Sequence, residues 1–312
     1  MNKKVQIVEV GARDGLQNER TTLTVPMRID FIKHLAASGL RRIEVGAFVS
    51  PKWVPQMNNS LPLIQEIYKN RKDYPKDAQF SALVPNVKGM EDALTTPIPE
   101  IAVFGASSES FSKRNINCTI EESLERFQDI CRMAKKNKRK VRGYLSVAFG
   151  CPYEGPVSEK KVIDLIKKYL KMGIYEVSIG DTIGVATPKQ VRSLLTKLKK
   201  EVPFKKIAMH MHDTRGTALA NVLASLDMGV RVFDSSFGGL GGCPYARGAS
   251  GNLATDDLVY MLHGMGFETG VDLSKLLSYG PTMSAEIGRK LPSRTSEAGL
   301  PEVRPFTERA PK

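Results

Sequence analysis

Few residue types in this sequence are able to do chemistry, and they are unevenly spread. Arg13 and Asp14 follow an apolar run near the N-terminus, Glu44 lies in a second such run and Asp181 closes a third. His210-Met211-His212 closes a fourth, and Cys243 and Asn252 lie in or just past a glycine-rich stretch beyond it. A spacing of two along a strand puts both imidazoles on one face. Two convergent imidazoles suit a metal ion, although the same spacing also describes hydrogen-bonded core histidines. Asp14 and the amide oxygen of Asn252 would complete a mixed oxygen and nitrogen set with no cysteine cluster. That composition favours Mg²⁺ or Mn²⁺ over a closed structural zinc site. Asp213 is placed to steady a ligand imidazole from behind. Glu44 has two readings, an orienting carboxylate and an ion pair with Arg13.

The scaffold that would gather these residues is written in an alternation. Short apolar, β-branched runs begin near Val5, Arg42, Gln79, Ile101, Val141, Glu176, Ile207 and Val232, with helical patterns between them. Thr119-Ile-Glu-Glu122 is a capping box, and Thr187-Pro-Lys-Gln190 is another with proline at the first helical position. Gly39 and Gly173 are helix stops just ahead of strands. Eight strand-then-helix units imply an α/β fold with a parallel sheet, and closure into a (β/α)8 TIM barrel suits one domain of about 250 residues. An open nucleotide-binding sheet is disfavoured, because the first turn, Val10-Gly-Ala-Arg-Asp-Gly15, carries no phosphate-binding glycine fingerprint. In a closed barrel the chemistry gathers at the C-terminal ends of the strands, where the reactive residues fall.

The catalytic barrel is expected over residues 1–285 with a short C-terminal helical extension. Residues 286–312, rich in Arg, Pro and Glu, read as an appended tail without fixed structure. Between Phe237 and Gly251, six glycines in fifteen residues read as a lid over the site, with a solvated linker as the plainer alternative. Cys243 would ride on that lid, where a nearby cation would lower its pKa and fit it for proton transfer.

Composition narrows the setting. The 312 residues carry 46 Lys and Arg against 33 Asp and Glu, a net charge of +13 that attracts anions. The basic runs lack interleaved aromatics or a recognised nucleic-acid module, so solvated helix faces account for them and no nucleic acid is expected as a partner. Four cysteines without a Cys-x-x-Cys pair imply reduced thiols. With no signal-peptide pattern and no apolar stretch of membrane-spanning length, the expected location is cytoplasmic, with no membrane partner.

Several motifs together resemble the 3-hydroxy-3-methylglutaryl-CoA lyase family. They are Glu9-Val-Gly-Ala-Arg-Asp-Gly-Leu-Gln-Asn-Glu19, Ser50-Pro-Lys-Trp-Val-Pro-Gln-Met57, Gly150-Cys-Pro-Tyr-Glu-Gly155, Gly180-Asp-Thr-Ile-Gly184 and Gly239-Leu-Gly-Gly-Cys-Pro-Tyr-Ala246. The Arg-Asp-Gly-x-Gln and His-x-His-Asp elements are shared with the wider superfamily of metal-dependent condensing synthases. The resemblance implies a barrel, a homodimer, that cleaves an acyl-CoA substrate into acetyl-CoA and acetoacetate with Mg²⁺ or Mn²⁺. It implies Asp14, His210, His212 and Asn252 as metal ligands. Arg13 would hold the thioester carbonyl, Gln17 would bind substrate, and Cys243 or His210 would move protons. Glu44 and Asp181 would orient hydroxyl, water or ligands. Two positions depart from the family pattern. Glu44-Val-Gly-Ala-Phe48 replaces small polar residues, which would admit a related 3-hydroxyglutaryl thioester, and Asp256 stands where glutamate is common. The competing readings are a Claisen-type condensing synthase and, outside enzymes, an acyl-CoA or nucleic-acid binding protein.

Overall fold

Eight parallel strands pair in sequence order, and the last closes on the first. The structure, a computed structural model, describes residues 3–242 and 251–301. The strands are β1 (Gln6–Glu9), β2 (Arg42–Ala47), β3 (Gln79–Leu83), β4 (Glu100–Ala106), β5 (Lys140–Ser146), β6 (Glu176–Asp181), β7 (Ile207–Met211) and β8 (Val232–Ser235). Each begins within one residue of the start expected from hydropathy. The outer ring is α1 (Val25–Ala37), α2 (Ser60–Lys69), α3 (Val87–Leu94), α4 (Glu109–Ile116), α5 (Ile120–Lys136), α6 (Glu159–Lys171), α7 (Pro188–Leu198), α8 (Ala218–Met228) and α9 (Thr255–Gly264). The extension is α10 (Leu273–Leu277), α11 (Gly280–Ile287) and α12 (Arg294–Ala298).

Local signals explain the helix boundaries. Thr119 and Glu122 cap α5 reciprocally, as Thr187 and Gln190 cap α7. In α5 the buried residues Leu124, Phe127, Ile130, Cys131 and Ala134 recur at three- and four-residue steps, the stripe that a helix lays against a sheet. Gly39 ends α1 with φ +100°, a left-handed backbone that glycine adopts without steric cost.

The barrel interior is polar. Glu176 on β6 accepts from Arg42 on β2 (2.8 Å) and from Arg142 on β5 (2.7 Å). Arg142 also grips Asp234 on β8 through two hydrogen bonds, at 2.6 and 3.3 Å, and Ser178 donates to the same carboxylate at 2.6 Å. The Arg42–Glu176, Arg142–Asp234 and Ser178–Asp234 contacts join strands that are not neighbours, so they cross the interior, whereas Arg142 and Glu176 face each other on adjacent strands. A small apolar cluster of Val8, Val10, Ala208 and Val232 completes the filling, while the larger core lies between sheet and helices.

The loops above the strands are tied together by one carboxylate. Glu9 Oε1 accepts from the backbone N–H groups of Gly11 (2.7 Å) and Phe237 (2.8 Å), and Oε2 accepts from the Thr255 hydroxyl (2.6 Å). This joins the turn after β1, the loop after β8 and the start of α9. Residues up to 301 belong to the same construction, which corrects the expectation of a structureless tail from residue 286. Ser293 N donates to Gly238 O (3.1 Å), Thr295 N to Asp257 (2.7 Å) and the Ser296 hydroxyl to Asp256 (2.8 Å). Polar composition hid this docking because hydrogen bonds hold the segment together with only a few apolar contacts, Leu291 and Pro292 against Gly238 and Gly239. Residues 302–312 lie outside the described residues.

Candidate active site

The C-terminal end of β7 is where the site begins. Past Met211 the returning chain pairs with it: Leu253 N donates to Met211 O (3.0 Å), Asp213 N to Gly251 O (2.9 Å), and His212 and Asn252 form an antiparallel bridge. That pairing sets Asn252 beside the histidines. Gly241, at φ +115°, backs onto it so closely that a Cβ there would lie 2.8 Å from Asn252 Nδ2.

Asp14 arrives from the helical turn Gly11–Gly15 after β1. Its Oδ2 accepts from Asn252 Nδ2 (2.8 Å), and its Oδ1 accepts from Arg13 Nη1 (2.7 Å) and Gln17 Nε2 (3.2 Å). His210 Nε2 lies 3.1 Å from His212 Nε2 and 3.9 Å from Asp14 Oδ2. One ligand atom from each of Asp14, His210 and His212 falls within 4.8 Å of the other two, a cluster able to hold a metal ion.

The donor set fits a cation. Two of its buried polar atoms, His212 Nδ1 and Asn252 Oδ1, have no hydrogen-bond partner among the described residues. Each such orphan costs about 1–3 kcal/mol, a cost that ligation would offset. Asp14 and His212 are in the protonation states that a metal needs, a carboxylate and a neutral imidazole. Burial acts to raise the Asp14 carboxyl, but the Arg13 guanidinium and the His210 ring outweigh it and hold it below the usual range. Burial, aided by His210, pushes His212 down to about 3 and keeps one ring nitrogen free to act as a ligand. On His210 burial acts downward, but the Asp234 carboxylate overrides it and raises the ring.

Arg13 is held from below. Its Nε donates to Glu44 Oε1 and its Nη1 to Asp14, which leaves Nη2 without a partner among the described residues. Glu44 is wholly buried and also accepts from the Tyr144 hydroxyl (2.9 Å). Burial raises the Glu44 carboxyl above its usual range despite Arg13. Of the two readings of Glu44, the ion pair with Arg13 is the one that the geometry contains.

The chain matches the HMGL-like family over residues 4–282. It is 51% identical to human mitochondrial hydroxymethylglutaryl-CoA lyase across 95% of its own length and 90% of the human protein. It belongs to the hydroxymethylglutaryl-CoA lyase family. Solved structures of hydroxymethylglutaryl-CoA lyases superpose on it closely. The Bacillus subtilis enzyme gives a TM-score of 0.92 at 46% identity, covering 96% of this chain and 99% of that one. An Acinetobacter baumannii enzyme in complex with coenzyme A and 3-methylmalate gives 0.91 at 36% identity, covering 98% of both chains.

In this member of the lyase family the expected site residues divide. Arg13, Asp14, Gln17, Glu44, His210, His212 and Asn252 are joined by the contacts above. Asp181 is spent elsewhere: its two oxygens accept from Val185 N (2.9 Å) and Ala186 N (3.0 Å) and so shape the turn into α7. Asp256 accepts from Gly238 N (3.3 Å) and Ser296, a buried anchor for the loop after β8. Cys243 and the central part of the expected lid, residues 243–250, lie outside the described residues. The idea that Asp213 steadies an imidazole is overturned, since its carboxylate accepts from Ala218 N (3.0 Å) at the start of α8. Asp234 stands behind His210 instead. Neither Asp234 nor Tyr144 was read from the sequence as a site residue. Each falls on an inward position of a barrel strand: alternation counted forward from Arg142 reaches Tyr144, whereas only the β7–β8 register places Asp234 beside His210.

Proposed function

We propose that this protein cleaves 3-hydroxy-3-methylglutaryl-CoA to acetyl-CoA and acetoacetate, at a site held by Asp14, His210, His212 and Asn252. The observation that carries the reading is the convergence of Asp14, two imidazoles and an unpartnered amide oxygen beside an arginine whose Nη2 has no partner among the described residues. A divalent cation in that site, Mg²⁺ or Mn²⁺, supplies Lewis acidity toward an alcohol or carboxylate oxygen, so that a base of ordinary strength suffices.

Loss of the proton on the C3 hydroxyl turns C3 into a ketone and breaks the C2–C3 bond, leaving an enolate on the acetyl thioester. Arg13 Nη2, the donor that the protein leaves unspent, neutralises charge growing on the thioester oxygen, a preorganised contact of about 3 kcal/mol. Glu44 and Tyr144 act through Arg13 by fixing the plane of its guanidinium. Gln17 holds Asp14 from its other side and borders the substrate. The enolate needs a proton at C2, which Cys243 or His210 delivers. Asp181 serves by holding the turn beyond β6. The compartment in this reading is the cytoplasm, in keeping with the unbridged Cys118, Cys131 and Cys151, and the homodimer rests on the family resemblance.

The test is acetoacetate release by the purified protein given 3-hydroxy-3-methylglutaryl-CoA, with and without a chelator. Release that stops on chelation and returns with Mg²⁺ or Mn²⁺ is the expected result. No release under any condition would refute the reaction, and release indifferent to chelation would refute the metal. His210→Ala should weaken Mn²⁺ binding, read directly by calorimetry.

A further inference from the structure

The opposite end of the barrel holds a cavity of about 630 Å³. Gln6, Arg42, Gln79, Lys140 and Glu176, the first residues of β1, β2, β3, β5 and β6, contribute to its wall. The volume is within the range of small-molecule sites, about 300–1,000 Å³. No step of the proposed reaction uses it, because that chemistry sits where the strands end.

Its charge is lopsided. Five cationic side chains, Lys4, Arg41, Arg42, Lys140 and Lys205, line it against two carboxylates, Glu176 and Glu268, and Arg41 is further paired with Asp77 (2.8 Å). Glu176 is already shared between Arg42 and Arg142, so it offers a ligand no net negative charge. Lys140 and Lys205 are exposed and form no ion pair among the described residues. The N-terminal face of a barrel of this kind ordinarily serves stability. A stabilising role would pair these charges, and two lysines left over at a concave rim instead raise the local concentration of anions.

We infer that this cavity binds a small soluble molecule carrying a phosphate group. Ammonium groups are compact charges that meet phosphate oxygens from any direction, and the Arg42–Glu176 pair leaves the floor without an unbalanced carboxylate to repel one. On one side the rim is closely packed. Gly39 and Gly270 approach so tightly that a Cβ on Gly39 would lie 2.0 Å from Gly270 O.

The test is titration of the whole protein with inorganic phosphate, followed by ³¹P line width at ionic strength held constant with chloride. One saturable site per chain is expected. The pair Lys140→Gln and Lys205→Gln should weaken it at least about tenfold, the scale of one or two lost charge-assisted hydrogen bonds, with the thermal midpoint unchanged. Removing the same charge elsewhere, by Lys160→Gln with Lys161→Gln, should leave the affinity within twofold. Absence of saturable binding, or equal weakening by both pairs, would overturn the site. So would capture of phosphatidylglycerol vesicles through Lys140 and Lys205 with no binding of free phosphate, since that assigns the charges to a membrane.

Discussion

His210 on β7 and Asp234 on β8 stand opposite each other in the parallel register, with Asp234 Oδ2 3.3 Å from His210 Nδ1. Asp234 therefore aims the other ring nitrogen at His212 and Asp14. Arg142 holds the same carboxylate from below, and burial, which would raise Asp234, is overridden by that guanidinium so that it stays ionised.

Asp234→Asn should loosen the ring and strip Arg142 of a charge partner at once. Breaking a buried ion pair costs about 3–5 kcal/mol, to be read from denaturant unfolding. Loss of a partner behind a ligand imidazole typically costs about 10–100-fold in metal affinity, to be read from Mn²⁺ calorimetry. Wild-type affinity in a folded Asp234→Asn protein would show that the contact does not position His210.

Arg13→Lys keeps the positive charge and loses the planar fork that reaches Glu44, Asp14 and substrate together. Turnover should fall about 100- to 1,000-fold, the scale of one lost preorganised donor. A fall confined to KM, with kcat intact, would show that the contact is made equally in the ground state.

Glu9 sets a pH dependence of stability. Burial pushes its carboxyl from the ordinary 4.5 up to about 7, against the lowering effect of Thr255, Phe237 N and Gly11 N. A group whose folded-state pKa is raised contributes its full stability below the unfolded value and loses it as pH climbs through the folded value. Between pH 4.5 and 7 the loss is about 3 kcal/mol. Glu9→Gln keeps an acceptor for both backbone N–H groups and has no proton to lose. Its stability relative to wild type should therefore rise by about that amount across the window in urea titrations, and a flat difference would contradict the buried neutral carboxyl.

Cys243→Ser replaces a thiol with a far weaker acid. If Cys243 moves the proton, kcat should drop by about 100-fold or more with the thermal midpoint unchanged. An undiminished kcat would leave the transfer to His210.

Much of this protein is legible along the chain. The eight strands announce themselves because the faces that pack on the helices must be apolar, and the capping boxes mark helices because the orphan N–H groups of a first turn need local acceptors. His210 and His212 fall on one face by strand geometry alone. The chemistry of each side chain and the alternation of strand and helix are properties of local sequence, and local sequence determined them.

The partnerships were decided only in three dimensions. Asp181 and Asp213 look as suited to catalysis as Asp14, yet both oxygens of Asp181 and one of Asp213 are taken by backbone N–H groups a few residues onward, a use that depends on the exact path of each turn. Asp234 stands behind His210 because β7 and β8 are neighbours in register, and Arg142 reaches it from across the barrel because the sheet closes. Closure brings together residues far apart in the chain, and hydrogen bonding then gives each carboxylate its role according to which donors lie within about 3 Å, a distance that no linear spacing encodes.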